Sequence, residues 1–234
     1  MSFGLTINGK HTSEFGLLME HMYIPQPEPN LTKIVIPGMS GSLDVSEALG
    51  GLTYSDRSGL EFMFSVLDDS YEVWADVYSK ISMWVHGRSC KVVLDNDASY
   101  YYMCRLHVDS TKSDEVISTI VLSGTAEPFK YDLCASDEPW KWDPFNFRSG
   151  VIRNLFDISV EGESQVLIPK GGFDTVPEFI VKQSDGLKLV LPDREYDLPV
   201  GTHRFPAIRI GSAETNLTFS GNGKLSIKYR GAYL

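Results

Sequence analysis

The sequence predicts a mainly β protein of two domains, with one long helix in the first domain. Only one stretch repeats its apolar residues at the helical period, whereas short alternating segments bounded by Gly, Asn and Asp fill most of the remainder. The length of 234 residues fits one large or two small domains. Acidic residues outnumber basic ones by 17 to 9 in residues 1–130 but by only 14 to 12 in residues 131–234. We therefore predict domains at 1–130 and 131–234, joined within 127–139.

The predicted helix covers about residues 70–87, SYEVWADVYSKISMWVHG. Its apolar residues recur at the 3.6-residue period and form one face. These are Trp74, Val77, Tyr78, Ile81, Trp84 and Val85. Asp69 with Glu72 three residues later resembles a capping box, and Gly87 stands where a glycine C-cap is expected.

Four alternating segments of the first domain predict strands. They are EFMFSVL at 61–67, CKVVLDND at 90–97, YYYMCRLHVDS at 100–110 and EVISTIVLSGTAEPF at 115–129. In the first of them Phe62, Phe64 and Val66 share one side, and Asp95 to Asp97 are turn residues between the next two. The last segment is apolar on both faces around 120–122, which is typical of a central strand.

The second domain reads as strands throughout. PEFIVKQ and LKLVL flank Ser184-Asp185-Gly186, and NLTFS and KLSIKYR flank Gly221-Asn222-Gly223. Both arrangements predict β-hairpins, because Asp-Gly and Asn-Gly pairs are the strongest short hairpin signals. Short alternating strands at this spacing are typical of a sandwich or barrel.

The sequence predicts no catalytic, metal-binding or cofactor-binding residue. GMSGS at 38–42 places Ser40 as in a nucleophile elbow but ends in serine, and a turn is favoured there. The five histidines show no metal-ligand spacing, and Cys90, Cys104 and Cys134 fit no zinc pattern.

Charge and hydropathy limit the partners that can be expected. The net charge of −10 opposes nucleic-acid binding, and no apolar run reaches the ~20 residues of a membrane helix. The N-terminus has no basic segment followed by an apolar one, so we expect no secretion signal and synthesis in the cytoplasm of the producing cell.

Residues 25–51 form an unusual segment that contains PQPEP at 25–29 and IPGMSGSLDVSEALGG at 36–51. Extended backbone rich in proline and glycine is hard to bury within one domain, since its polar groups need partners. The segment is therefore either an ordinary surface loop or an arm whose partners lie on another subunit.

Aromatic residues cluster in EPWKWDPFNF at 138–147. Trp140 and Trp142 would stack on sugar rings if exposed, or seal a domain junction if packed. Packing is the favoured interpretation. His203 and Arg204 are the one polar pair in the second domain that suggests a sugar contact.

Several motifs together resemble the distal tail protein (Dit) family of long-tailed bacteriophages that infect Gram-positive bacteria. In chain order they are IPGMSGSLDVSEALGG, YSDR at 54–57, EFMFSV at 61–66, WVHGRSCKVVLDNDASYYYMCRL at 84–106, PFKY at 128–131 and IKYRGAYL at 227–234. The resemblance extends over nearly the whole chain and is most specific in the first half.

The resemblance implies a fold and a role. The expected fold is an N-terminal β-sandwich with one helix and an extended arm, followed by a galectin-like β-sandwich. The expected role is that of a non-enzymatic structural virion protein: a hexameric hub at the tail tip, joining the tail tube protein to the tail-associated fibre or lysin protein.

The resemblance also suggests how the segment at 25–51 acts as an arm between subunits. Pro37 and Gly38 would set its bend, and Leu43 and Val45 would dock it on the adjacent subunit of the ring. Two other functions stay open at this stage: a binding module for cell-wall saccharides in the second domain, and a wall-degrading enzyme.

Overall fold

The computed structural model describes residues 3–48, 50–67, 70–109, 119–139 and 150–234. The chain divides into two compact units. The first consists of Met1–Asp97 and Tyr101–Lys130 with Leu234, and the second of Ala98–Tyr100 and Tyr131–Tyr233. Within the described ranges no helix combines the length and the apolar character needed to cross a membrane.

The first unit is a twisted sheet covered by one helix. Its strands pair in the order β2-β1-β7-β8-β9-β6-β3, while β4 and β5 form a separate two-stranded ribbon. The strands are β1 (Leu5–Ile7), β2 (Lys10–His11), β3 (Leu17–Tyr23), β4 (Lys33–Ile34), β5 (Leu43–Asp44), β6 (Arg57–Val66), β7 (Arg88–Leu94), β8 (Tyr100–Val108) and β9 (Thr119–Asp132). The helix is α1 (Tyr71–Val85), and short 3-10 turns lie at Thr12–Phe15 and Asp95–Asp97.

Strand β6 shows how the sequence pattern builds this core. Leu60, Phe62, Phe64 and Val66 are buried, as strict alternation requires when one face of a strand lies against the core. The predicted placement of the last three residues on one side is confirmed. Strand β9 pairs with β6, and β7 pairs with β8 across the 3-10 turn that replaces the predicted turn at 95–97.

Helix α1 packs its predicted face onto the sheet. Trp74, Val77, Ile81 and Val85 are buried, and Tyr78 and Trp84 pack partly buried against the same cluster. The Trp74 indole N–H also donates to the Thr119 carbonyl at 3.1 Å. Gly87 adopts a φ of 73°, the left-handed conformation predicted for a glycine after the helix.

The predicted N-cap of α1 was wrong. Ser70 is the capping residue, and its side chain accepts a hydrogen bond from the Val73 amide. Asp69, the predicted cap, lies outside the described residues. Ser and Asp are nearly equivalent as caps, so two adjacent candidates cannot be separated by residue type alone.

The second unit is built on a five-stranded sheet in the order β10-β14-β11-β12, with β13 also pairing with β11. Its strands are β10 (Ile158–Ile168), β11 (Glu178–Leu191), β12 (Arg194–Asp197), β13 (Gly201–Arg204), β14 (Thr215–Lys228) and β15 (Ala232–Tyr233). Buried aliphatic and aromatic residues of β10, β11 and β14 form its core.

Both predicted hairpins of this unit were wrong. The segments around Gly186 and around Gly221 each run through as one continuous strand, β11 and β14, and the two strands pair with each other. Gly186 and Gly221 do adopt positive φ values, 64° and 92°, as turn glycines would. Here they lie at a bulge, since the register of β11 against β14 shifts between Asp185 and Lys188. Only glycine fits at position 221, because a Cβ there would lie 2.2 Å from the Gly186 carbonyl oxygen.

The glycine row bends the sheet onto itself. Gly162 of β10, also at positive φ, pairs directly with Gly221, so the bend crosses neighbouring strands. Phe219 pairs with Leu189, and Phe179 lies ten residues earlier on the same strand. A straight strand would separate these positions by roughly 33 Å. The Phe179 and Phe219 rings nevertheless lie 6.3 Å apart, so the two halves of the sheet face each other around one core.

A buried charge cluster fixes the closing segment of this unit. Arg153 Nη1 donates to Asp132 Oδ2 at 2.6 Å, and its Nη2 donates to the Lys170 carbonyl and the Tyr233 hydroxyl. The Gly231 amide donates to the same Asp132 oxygen at 2.8 Å. Burial raises the pKa of Asp132, and the adjacent Arg153 guanidinium opposes that rise.

We expect Ile81→Asp to unfold the first unit. Ile81 is 1 % exposed at the centre of the helix–sheet contact, and an unpaired carboxylate there costs more than about 4 kcal/mol. Urea unfolding measures the loss. Met83→Asp is the matched control, because Met83 lies on the outer face of α1 and is 76 % exposed. Equal stability of the two variants would contradict the packing of α1.

We expect Gly221→Ala to destabilise the second unit by about 3 kcal/mol. Alanine at φ 92° is strained, and its Cβ would collide with backbone rather than with a movable side chain. Thermal unfolding with Ser220→Ala as the control measures the difference. A loss below ~0.5 kcal/mol is the ordinary range for surface substitutions and would show that no bulge exists there.

Candidate functional site: the hairpin arm

The predicted arm segment forms a projecting hairpin, which we call the hairpin arm (residues 29–54). Every residue from Glu28 to Asp44 is exposed. The exposed residues include a run of large apolar side chains, with Val35 exposing 77 % of its surface. The others are Leu31, Ile34, Ile36, Met39 and Leu43. Contiguous exposed apolar surface of this kind marks an interaction site more often than it marks ordinary surface.

A short ladder of hydrogen bonds holds the two sides of the hairpin arm together. β4 pairs with β5 through Lys33 opposite Asp44 and Ile34 opposite Leu43. The Val45 amide donates to the Thr32 carbonyl at 2.9 Å, and the Ser46 hydroxyl accepts from the Thr32 amide at 2.8 Å. Since a two-stranded ribbon alone is marginally stable in water, the arm depends on its attachment and on what covers it.

Pro37 and Gly38 turn the chain at the tip. The Met39 amide donates to the Ile36 carbonyl at 3.1 Å, and Gly38 has a φ of 85°. Proline followed by glycine at positive φ is the signature of a type II turn. From Pro29 to this turn the extended chain spans roughly 26 Å, so the tip lies far from the base.

One face of the hairpin arm is apolar. Ile34 and Leu43 are direct partners and therefore lie on the same face. Val45 directly follows β5, and its amide continues the ladder by donating to the Thr32 carbonyl, so alternation places its side chain on that face as well. Val45 is half-buried, whereas Leu43 remains 47 % exposed. Of the two residues proposed from the sequence to dock the arm, Leu43 therefore has the larger free surface.

Arg57 anchors the base of the arm. The residue is 2 % exposed; its Nη1 donates to the Pro25 carbonyl at 2.7 Å and its Nε to the Pro128 carbonyl at 3.0 Å. The guanidinium also lies over the Tyr102 ring, 5.6 Å from its centroid. Burial lowers the pKa of Arg57, but a guanidinium stays charged in a protein. One charge thus ties the chain entering the arm to strand β9.

Backbone bonds complete the base. The Asn30 amide donates to the Thr53 carbonyl and the Ser55 amide to the Glu28 carbonyl, both at 2.9 Å. The Ser55 hydroxyl also donates to the Asn30 side-chain oxygen at 2.6 Å. The entry and exit of the arm are therefore held side by side, and the arm leaves the first unit in a defined direction.

Of the four residues considered for sugar contact, the structure describes only His203 and Arg204. Trp140 and Trp142 lie outside the described residues. His203 is half-buried, and its Nε2 is already engaged with the Pro199 carbonyl at 2.7 Å. The His203 ring stacks on Phe205, which packs against the core of the second unit. Arg204 is exposed. No aromatic platform with converging polar groups is formed by His203 and Arg204.

A serine, a histidine and an aspartate do meet on the first unit. The Ser123 hydroxyl lies 2.9 Å from His107 Nε2 and donates a short hydrogen bond to Asp109. The Asp109 carboxylate also approaches Nε2 of His107, at 3.7 Å. A nucleophilic triad needs the carboxylate on the opposite ring nitrogen, so this cluster has the wrong geometry for one.

The two buried thiols, Cys90 and Cys104, offer no better nucleophile. Burial raises the pKa of Cys104 to about 12, so this thiol is protonated at neutral pH. Burial also raises the pKa of Cys90, its direct partner across β7 and β8. Among the described residues no group of histidine, cysteine and carboxylate side chains could hold a metal ion.

Comparison with solved structures identifies the architecture. The chain is similar to the Dit protein (gp 19.1) of SPP1, described as a paradigm of the hub adsorption apparatus in phages that infect Gram-positive bacteria. The match has a TM-score of 0.62 at 12 % sequence identity and covers 100 % of both chains. The chain has the Dit fold. The predicted resemblance and the predicted mainly β fold class, with one helix and sandwich-like units, are confirmed at the level of the fold.

No protein-family model matches this chain, and no curated protein matches it. A likeness at 12 % identity shows architecture, and functional residues must be argued from this chain alone.

We expect Arg57→Lys to loosen the base of the arm without unfolding the first unit. A single ammonium cannot reproduce the fork that reaches both carbonyls, and charged hydrogen bonds are worth roughly 1.5–3 kcal/mol. Hydrogen exchange of the Asn30 and Ser55 amides should accelerate about tenfold or more, while amides of β6 keep their protection. Arg88→Lys, an exposed exchange of the same kind, serves as control. Uniform acceleration across the unit would contradict a local anchor.

Proposed function

We propose that this protein is a structural component of a phage tail tip, where copies of the chain assemble into a hexameric hub. The fold match over the full length of both chains carries this proposal, because the matched protein is described as a hub of an adsorption apparatus. The motifs from IPGMSGSLDVSEALGG to IKYRGAYL support it independently, since they resemble the same family.

The hairpin arm supports the assembly part of the proposal. Its exposed apolar side chains and marginal two-stranded ladder leave it dependent on a covering partner. An arm that leaves one side of a subunit to bind a different surface of its neighbour makes a heterologous contact. Such contacts close into a ring when the rotation between subunits closes. Pro37 and Gly38 shape the tip, and Leu43 and Val45 contribute to the docking face.

The proposed partners and location follow from the hub role. A tail-tip hub contacts the tail tube protein on one side and a tail-associated fibre or lysin protein on the other. The protein is then a part of the virion, made in the bacterial host. The role is structural rather than enzymatic, which agrees with the unsuitable geometry of the Ser123, His107 and Asp109 cluster.

Mass measurement of the purified protein across a concentration series tests this function. Native mass spectrometry should show a species of six times the 26.2 kDa chain mass as the concentration rises. A single-chain mass at every concentration, alone and mixed with tail proteins from the same phage, would contradict the hub.

Shortening the arm tests its part in assembly. Because Ile34 and Leu43 are direct partners, replacing residues 35–42 by Asn-Gly keeps the hairpin and closes it with a two-residue turn. We expect unchanged circular dichroism and at least a tenfold weaker association. Val200→Ser, a change at an exposed apolar site of the second unit, is the control. Unchanged association in the shortened variant would remove the arm from the interface.

A further inference from the structure

A shallow groove on the first unit lies beside the C-terminal half of α1. It has a volume of about 540 Å³, within the range of roughly 300–1,000 Å³ that accommodates bound groups. Phe15, Met83 and Trp84 supply apolar surface, and Lys10, Lys80 and Arg88 supply positive charge. The Phe15 and Trp84 rings stack with centroids 4.8 Å apart, which makes a rigid aromatic wall.

The groove is not part of the core. Met83 exposes 76 % of its surface although it neighbours two aromatic rings, and it lies on the outer face of α1. Phe15 and Trp84 are only partly buried. An exposed methionine beside a stacked aromatic pair is an adaptable apolar surface of the kind found at protein interfaces.

The charge of the groove is opposite to that of the whole chain. Lys80 pairs with Asp76 at 2.5 Å, whereas Lys10 and Arg88 make no ion pair with any described residue. The groove therefore presents two uncompensated positive charges in a protein of net charge −10. Such a surface attracts a partner segment that is apolar and acidic.

The hairpin arm is such a segment. Its tip, residues 34–43, carries no charge and exposes Ile34, Val35, Ile36, Met39 and Leu43. Its stem carries two acidic residues, Asp44 and Glu47, against one basic residue, Lys33. The arm is thus apolar at the tip with a stem of net charge −1, complementary to the groove in both respects.

We infer that this groove binds the hairpin arm of a second copy of this chain, an inference that rests on the proposed ring. The groove is formed by Phe15, Met83, Trp84, Lys10 and Arg88. The tip places its apolar side chains against the stacked Phe15 and Trp84 rings, and the acidic stem faces Lys10 and Arg88. Because the arm and the groove are different surfaces, the contact is heterologous, as a ring requires. The local charge match also directs association between chains that repel each other overall.

Photo-crosslinking locates the surface that the arm touches. Benzoylphenylalanine at Met39, which is 43 % exposed at the tip, is placed in the full chain. The protein is assembled from equal amounts of natural and heavy-isotope chains, so that crosslinks between copies are recognised by mass. We expect crosslinks to peptides that contain Phe15 or residues 80–88 of the other copy.

The possible outcomes distinguish failure of the groove pairing from failure of the proposed ring. Crosslinks between copies that fall elsewhere overturn the groove while leaving an arm-mediated ring in place. A single-copy mass at every concentration overturns the proposed function, and the groove pairing with it. A hexamer with no crosslink from Met39 to another copy also overturns the groove pairing.

Charge exchange supplies a second, independent readout. Arg88→Glu and Glu47→Lys should each weaken self-association about two- to fivefold, the range of a partly exposed ion pair, and the two changes combined should restore it. Met83→Glu should weaken association tenfold or more, because it puts a charge on the apolar surface. Val200→Glu, at a site 65 % exposed on the second unit, is the matched control. Additive weakening in the combined variant would show that the two residues do not face each other.

Discussion

The fork of hydrogen bonds from Arg57 decides how the exposed part of this protein is presented. A buried guanidinium binds the Pro25 and Pro128 carbonyls at 2.7 and 3.0 Å, and the chain that enters the hairpin arm is thereby fixed to strand β9 of the first unit. Without this anchor, only the hydrogen bonds of Asn30 with Thr53 and of Ser55 with Glu28 and Asn30 would orient a ribbon of two two-residue strands. With it, the arm is pre-oriented, and less conformational entropy is lost when a partner covers it.

The two units cover the apolar faces of their sheets in different ways. The first unit covers its sheet with α1, whose buried face includes Trp74, Ile81 and Val85. The second unit has no helix among its described residues and folds its own long strands over along the row of Gly162, Gly186 and Gly221. The first solution leaves the outer side of α1 and the arm available for contacts. The second uses glycine to let backbone approach backbone, which side chains would prevent.

Sequence patterns correctly predicted the elements whose conformation depends on neighbouring residues in the chain. The helix and strand β6 follow from periodicity, and the Pro37-Gly38 turn from residue types that suit a single conformation. The hairpins at Gly186 and Gly221 were mispredicted because a bulge and a turn both require glycine at positive φ, and the choice depends on a partner strand distant in sequence. Arg57 gave no signal, because its acceptors are carbonyls 32 and 71 residues away and any residue can supply a carbonyl. The Phe15–Trp84 groove was missed for a similar reason: Trp84 fits the apolar face of the helix, and its exposed edge appears only in three dimensions.

We propose that the hairpin arm crosses from one subunit to the next in a ring. Cryo-electron microscopy of the assembled protein tests it most directly, because a ribbon of about 26 Å is visible at the resolution that separates strands. The account predicts a sixfold ring in which the density of residues 29–54 leaves one subunit and ends against α1 of its neighbour. A ring whose arms all point into solvent or return to their own subunit would contradict it.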